Sequence, residues 1–402
     1  MKNKVFHKAE PILRTLQQAG YEAYIVGGAV RDFLVGRPIG DIDITTSATP
    51  EQVMNLFSKV VPIGIKHGTV AVLQKGEPYE ITTYRTEGNY SDHRHPDNVD
   101  FVDSIQTDLA RRDFTINAIA MDMQGDIVDP FHGRTDIKNR LIQTVGPPKD
   151  RFKEDPLRMM RAIRFVSQLG FQLEGKTLIG LSECAHWLDK MAVERIKVEF
   201  EKMWAGSFLD QALPIIEQTE IDRYIPVFRE KKGRFQKLVP ASIQPLAYIY
   251  ESIALFVLLD SNISIETWTN KWKCSKKEKS NVKRLVQAVQ MLEKDGLTNW
   301  LVYNLDRNLY TSLVRIVTIL KPHCSVTEED IKAIWGSLPL RNRRELAISG
   351  TDLLTFFPVR TKGAWIGRYL QMVERMVVMG DLKNEKTEIK EWVTKWNPPE
   401  MT

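Results

Sequence analysis

The apolar run Tyr24-Ile25-Val26 ends on Gly27-Gly28, a helix-compatible stretch follows to Leu34, and then comes Asp41-Ile42-Asp43-Ile44. Paired glycines between a strand and a helix let backbone N–H groups approach an anion with no Cβ in the way, and the helix dipole favours negative charge there. Arg31, one turn into that helix, can pair with a triphosphate. If Ile39 to Thr45 is a second strand, Asp41 and Asp43 project from one face while Ile42 and Ile44 enter the core. Two neighbouring carboxylates repel unless a cation joins them. Mg²⁺ suits such a pair, because it takes oxygen ligands and commonly combines one or two carboxylates with substrate phosphates.

Further strands are expected at Thr69–Leu73, Tyr79–Tyr84 and Ile119–Met123, the last turning through Gln124-Gly125-Asp126 into Ile127-Val128 as a hairpin. A helix is expected over Pro50 to Ser58. Gly146-Pro147-Pro148-Lys149-Asp150 then interrupts any regular element, and from Pro156 helical periodicity dominates. The fold class is α+β, a small mixed sheet followed by an all-helical remainder. At 402 residues the chain is too long for one core, and we divide it at 1–148, 149–205, 206–300 and 301–402. No run of 18 apolar residues and no apolar leader with a cleavage site occurs, which points to a cytoplasmic protein with no membrane span. Cys184, Cys274 and Cys324 lie far apart without metal-ligand spacing, so neither disulfides nor a zinc site is expected. Lys271 to Arg284 holds seven basic residues and one acid, Glu278, a phosphate-attracting run that also describes an ordinary solvated helix face.

Two more clusters carry chemistry. In Arg111-Arg112-Asp113-Phe114-Thr115-Ile116-Asn117-Ala118, adjacent arginines can hold phosphate oxygens and Asp113 can accept from a ribose hydroxyl. A surface helix start would read the same way. In Glu154-Asp155-Pro156-Leu157-Arg158, Asp before Pro is a common helix opening, and Arg158, Arg161 and Arg164 recur every three residues opposite Leu157, Met160, Ile163 and Val166. An Asp and an Arg so placed can also read a base: the carboxylate accepts from the exocyclic amine of cytosine or adenine, and the guanidinium donates to the neighbouring ring acceptor. Uracil and guanine would set a carbonyl against the carboxylate. Glu80 is a possible third metal-binding carboxylate or a solvent-facing strand residue.

Taken in order, GGAVRD with DID, RRDFTINA, DPFHGRTDI and EDPLRMMRAIRF resemble the ordered motifs of the class II tRNA nucleotidyltransferases, the bacterial CCA-adding enzymes, across residues 20 to 170. The resemblance implies a polymerase-beta-like catalytic head followed by helical neck, body and tail. It implies that Asp41 and Asp43 bind metal and catalyse, that Gly28 and Arg31 serve the triphosphate, and that Arg112 and Asp113 contact the ribose. Asp155, Arg158, Arg161 and Arg164 would form the nucleotide-selecting helix. Glu194-Arg195 with Glu199 is similar to a further, structural motif, although Arg195 and Glu199 also have the spacing of a surface i,i+4 pair. Thr86 to Asp97, with His93 and His95, occupies the place of the family's flexible loop. Past residue 205 only Leu346 to Leu354 and Lys362 to Gly367 resemble the family, as Gly turns near helix starts that could offer N–H groups to RNA.

The expected activity is therefore Mg²⁺-dependent, template-independent addition of C, C and A to the 3′ end of tRNA from CTP and ATP. A poly(A) polymerase, a CC-only or A-only enzyme, and a non-catalytic tRNA-binding protein remain alternatives, the last disfavoured by carboxylates that binding alone does not need.

Overall fold

The computed structural model describes residues 4–88, 90, 98–230, 235 and 243–395. The chain forms two compact units, residues 1–239 and 240–402. The expected break near residue 148 lies inside the first, and most of the segment from Thr86 to Asp97, including His93 and His95, lies outside the described residues.

The first unit is built on strands β1 (Ala23–Val26), β2 (Asp43–Thr46), β3 (Val60–Gly64), β4 (Thr69–Gln74), β5 (Glu77–Thr83), β6 (Arg85–Glu87), β7 (Val99–Phe101), β8 (Ala120–Met121) and β9 (Ile127–Val128). Seven make one mixed sheet in the order β3-β4-β5-β2-β1-β8-β9, while β6 and β7 pair separately. Strand β1 alternates between two cores: Ala23 and Ile25 join Ile44, Val70, Val72 and Ile81 on one face, and Val26 joins Tyr84, Leu109 and Ala120 on the other. Burial on both faces explains why Tyr24-Ile25-Val26 is continuously apolar. Helix α1 (Glu10–Gln18) closes the first face with Ile12, Leu13 and Leu16. Helix α2 (Gly28–Val35) follows β1 directly, and α3 (Pro50–Leu56) opens on a Thr49–Gln52 capping box with Pro50 in its first turn.

The expected second strand is shorter than its apolar pattern. β2 begins at Asp43, so Asp41 precedes it in irregular backbone rather than lying on the strand. Val26, the last residue of β1, pairs with Asp43, and beyond Val26 the chain turns through Gly27 at φ +70° into α2, leaving Asp41 no strand partner. Strands β3, β6 and β7 were not legible: β3 contains Pro62 and ends on Gly64, and the other two span three residues each. The expected hairpin is present as β8 and β9.

Helices α4 (Ile105–Ala110), α5 (Gly133–Asn139), α6 (Pro148–Glu154), α7 (Leu157–Leu169), α8 (Gly175–Cys184), α9 (Val193–Trp204) and α10 (Leu209–Gln218) complete this unit. A parallel pair, β10 (Leu141–Ile142) with β11 (Gln172–Leu173), laces the sheet-bearing part to the helical part. Helix α7 is buried along most of its length through Met159, Met160, Ile163, Phe165 and Val166, and α9 packs across it.

The second unit is helical: Ile249–Leu259, Ile265–Lys271, Lys276–Asp295, Asn299–Asn304, Tyr310–Leu320, Glu328–Ser337, Gly350–Phe356, Trp365–Met379 and Lys386–Lys395. Phe256 stacks on Trp268 at 5.3 Å, and the fully buried Glu251 is met by the Ser312 hydroxyl at 2.6 Å and Arg315 at 3.1 Å. In the basic run, Lys283 pairs with Glu266 at 3.0 Å and Arg284 pairs with Asp306, while Lys276 and Lys277 are exposed. Ser349 and Asp352 form a capping box at Gly350, so side chains already serve N–H groups of that turn. The cysteines are free thiols, and among the described residues no helix is long and apolar enough to cross a membrane.

One close approach locks α9 to α7. Ser167 donates to the Met203 carbonyl at 2.6 Å, and a methyl on Gly206 would overlap the Ser167 hydroxyl and carbonyl group. Gly206→Ala should therefore cost about 1–3 kcal/mol, read as a lower urea midpoint at unchanged slope. Gly175→Ala, whose methyl would meet open space, should leave the midpoint nearly unmoved or raise it.

Candidate active site

Two cavities in the first unit share one wall. A cleft of about 560 Å³ is lined by Arg111, Arg112, Asp113, Asp155, Arg158 and Arg161 among others. A smaller pocket of about 220 Å³ holds Asp43 and Glu80. Thr69, Arg85, Arg111 and Arg112 line both.

The sheet places the acids. Asp43 and Thr45 share the face opposite Ile44, and the parallel register of Ile44 with Ile81 sets Glu80 beside Asp43. Loss of surrounding water raises the Asp43 carboxyl above its ordinary value; Glu80 and, more weakly, Asp41 add to the rise, and Arg112 opposes it. Gly27 gives Arg112 its approach, since a Cβ there would stand 3.0 Å from the Arg112 Nη1.

Helix α4 carries a carboxylate the sequence analysis missed. Asp108 is fully buried and accepts from Arg111 Nε at 3.0 Å and Nη2 at 2.9 Å, and from Arg112 Nη2 at 3.4 Å. The spacings i,i+3 and i,i+4 were visible in Asp108-Leu109-Ala110-Arg111-Arg112, and a fully buried anion requires such partners. Asp113 is also buried. Its Oδ1 accepts from the Phe114 N–H at 2.8 Å and Asn117 Nδ2 at 3.0 Å, and its Oδ2 accepts from Arg161 Nε at 2.8 Å and Nη2 at 2.5 Å. Burial alone would raise its pKa, but the Arg161 charge and these hydrogen bonds hold the carboxyl well below the usual range.

Asp155 stands at the head of α7, accepting from the Leu157 N–H at 3.1 Å and from Arg195 Nη2 at 2.8 Å. Arg158 donates to the Arg151 carbonyl at 3.1 Å, to the Arg111 carbonyl at 3.2 Å and to Glu154. The expected cationic stripe is thus not a solvated one: Arg158 and Arg164 are each 9% exposed. Arg164 lies 2.6 Å from Glu199 and 4.3 Å from the centre of the Phe165 ring, which Arg31 and Arg161 also approach. Arg195 and Glu199 do not pair with each other as a surface i,i+4 couple; one holds Asp155 and the other Arg164. Arg31 is committed to Asp32 at 3.0 Å and to Asn117 at 2.6 Å, and lines neither cavity. Gly28 and Asp41 also lie outside both linings.

Asp43 crowded by Glu80 and Asp41 is a hard-oxygen set whose repulsion a divalent cation would relieve. Among the described residues no three acidic, His or Cys side chains converge into a preformed cage. An ion that takes one or two carboxylates and completes its shell with water and substrate phosphates needs none, so the residues present fit such an ion.

Comparison with known proteins agrees with this architecture. Residues 23–143 match the family described as "Poly A polymerase head domain", residues 170–230 "Probable RNA and SrmB- binding site of polymerase A", and residues 251–393 "tRNA nucleotidyltransferase domain 2 putative". The CCA-adding enzyme of Oceanobacillus iheyensis is 44% identical over 98% of both chains, and that of Anoxybacillus flavithermus 43% over 97% of both. The chain belongs to the CCA-adding enzymes. The crystal structure of the Bacillus stearothermophilus CCA-adding enzyme in complex with CTP superposes with a TM-score of 0.88 at 37% identity, covering 98% of each chain. CCA-adding enzymes use divalent metal ions, which suits the crowded acids beside the cleft.

Within this CCA-adding enzyme the Asp113–Arg161 contact is the most exposed to a test. Asp113→Ala should cost about 1–3 kcal/mol, because the buried Asn117 amide and the Phe114 N–H lose their acceptor while Arg161, 34% exposed and 4.0 Å from Glu199, keeps water and a second acid. The folded Asp113 pKa is depressed, so its contribution is complete above the unfolded value of about 3.9 and is lost only as pH falls through the folded value. Urea midpoints of wild type and variant should differ most at neutral pH and converge under strongly acidic conditions.

Proposed function

We propose that this chain adds C, C and A in turn to the 3′ end of tRNA, taking CTP and ATP and releasing pyrophosphate. One observation carries the reading: the cleft holding Asp155 and Arg158 shares Arg85, Arg111 and Arg112 with the pocket holding Asp43 and Glu80. A base at one end and a reacting phosphate at the other is what template-free nucleotide transfer requires. A relative of the same fold, the Bacillus stearothermophilus CCA-adding enzyme, has been solved in complex with CTP, which supports CTP as a substrate.

In this reading Asp41 and Asp43 hold Mg²⁺, with Glu80 beside them. Mg²⁺ bound there would acidify the tRNA 3′-hydroxyl and offset charge on the leaving pyrophosphate. Arg112, partly buried and held from one side by Asp108, offers its remaining donors to phosphate oxygens. Asp113 has both oxygens engaged by protein donors, so a ribose hydroxyl would be an additional donor to a carboxylate already set in place. Gly28 and Arg31 act at one remove: the Gly27-Gly28 turn admits Arg112, and Arg31 orients Asn117 against Asp113. Arg161, which lines the cleft, and Arg164 would face the nucleotide from α7 while each is held by an acid, Asp113 and Glu199.

Asp155 and Arg158 select the base. Arg195 and the α7 backbone hold Asp155, and two carbonyls and Glu154 hold Arg158, so neither can swing to suit uracil or guanine. Selection by a rigid donor–acceptor pair leaves a buried group unpaired when the wrong base enters. The segments 206–300 and 301–402 would hold the tRNA, with the exposed lysines of 271–284 as one candidate phosphate contact. Such work places the protein with its tRNA in the cytoplasm.

The test uses a tRNA transcript lacking its last three nucleotides, resolved at single-nucleotide resolution. Two additions with CTP alone and three with CTP and ATP are expected; a stop after C-C, a need for pre-added C-C, or a long A ladder would assign one of the sister activities. Asp43→Ala should lower turnover by at least about a thousandfold, roughly 4 kcal/mol, while tRNA retention on a filter stays near wild type. Arg158→Ala should raise the share of U and G incorporated, and unchanged selectivity would remove Arg158 from the base-reading role.

A further inference from the structure

Glu87 lies on β6, at the start of the segment Thr86 to Asp97 likened to the family's flexible loop, and was not itself expected to be a site residue. Its side chain is only 7% exposed. One oxygen, Oε1, accepts from Arg85 Nε at 2.9 Å, Arg85 Nη2 at 2.7 Å and Arg111 Nη1 at 2.9 Å, and Oε2 accepts from the Tyr90 hydroxyl. Burial by itself would raise its pKa, yet Arg111, Tyr90 and Arg85 together hold it below the ordinary value. Arg85 and Arg111 are two of the side chains that line both cavities.

Their partners are unequal. Arg111 keeps a two-point contact to Asp108 whatever happens at Glu87. Arg85 has Glu87 and, on Nη1, the His67 carbonyl. Two guanidiniums sharing one acceptor atom would repel without the anion between them, and each free arginine side chain carries about 2 kcal/mol of rotamer entropy that must be spent when it is ordered. An acid that orders both before nucleotide arrives lowers the cost of binding.

We propose that Glu87 is a positioning residue for nucleotide binding, its carboxylate fixing Arg85 and Arg111 at the junction of the base-reading cleft and the Asp43 pocket. The proposal rests on the reading that CTP and ATP occupy that cleft. It makes a prediction opposite in sign to simple charge counting. Deleting an anion near a triphosphate should tighten binding if Glu87 acts only through its charge, and should weaken binding if it acts by holding the two arginines.

The experiment compares full-length wild type, Glu87→Gln and Arg158→Ala by equilibrium dialysis with labelled CTP, and by steady-state kinetics varying CTP, ATP and tRNA separately. Glu87→Gln should raise Kd and KM for both nucleotides about tenfold, as for one lost charge-assisted hydrogen bond, with kcat and the tRNA KM within about twofold. Unchanged or tighter CTP binding overturns the proposal. If Arg158→Ala weakens CTP binding and Glu87→Gln does not, the cleft reading stands and only the role of Glu87 falls; if Arg158→Ala has no effect, the cleft reading itself falls. Should Glu87→Gln lack a cooperative thermal transition, Glu87→Asp keeps the charge but is too short to span both arginines. It should raise nucleotide KM about threefold, and wild-type values from it would equally overturn the proposal. Arg85→Lys combined with Glu87→Gln should cost little more than either change alone, whereas additive losses would show that Glu87 does not act through Arg85.

Discussion

The two-point contact between Asp113 and Arg161 is the interaction on which the rest of the site depends. It joins the segment that follows α4 to the middle of α7, and the buried Asp113 carboxylate needs the partner, because an unpaired buried charge is costly. From Asp113 the order spreads in two directions. Through Asn117 it reaches Arg31 and the Gly27-Gly28 turn, and through the same short segment it sets Arg112 against Asp108. Along α7 it fixes the register of Arg158 and Arg164, one turn to either side.

Around that contact the molecule keeps an unusual density of arginine. Arg31, Arg161 and Arg164 converge on the ring of Phe165, and Arg85, Arg111 and Arg112 converge on Asp108 and Glu87. Like charges so close are tolerated because each group has an acid among them and because guanidinium is weakly hydrated and stacks on aromatic faces. Buried ion pairs of this kind add little net stability over apolar packing. Their value is geometric: they hold donors in a cleft whose proposed ligand is a polyanion, with little reorganisation when it enters. Such a cleft also repels no phosphate, since its acids are already engaged by arginines, while Asp43 and Glu80 on the neighbouring sheet face stay crowded.

Much of this was legible from local pattern. Glycine pairs, alternation and Asp-Pro openings act within a few residues, so β1, the α2 turn, the hairpin of β8 and β9 and the start of α7 could be placed from neighbours alone. The resemblance carried by the ordered motifs then named Asp43, Arg112, Asp113, Asp155 and Arg158, all of which the structure brings to the two cavities. Asp41 was placed on a strand that begins only after it, at Asp43, because a strand's length is set by its partner, and β1 runs out at Val26. Glu87, Asp108 and Phe165 were passed over because one acid in a three-residue strand, one acid in a short helix and one Phe in an apolar stripe look like any others.

What the sequence by itself determined was the inventory: a sheet-bearing start and a helical remainder, two acids beside a glycine turn, and an Asp and an Arg at a helix opening. These follow from periodicity and from side-chain chemistry, which need no knowledge of distant residues. Tertiary structure alone decided how each charge is neutralised. That Arg195 serves Asp155 across 40 residues, that Arg161 reaches back 48 to Asp113, and that Glu87 gathers Arg85 and Arg111 are outcomes of packing, because a buried charge takes whichever partner the fold brings within reach.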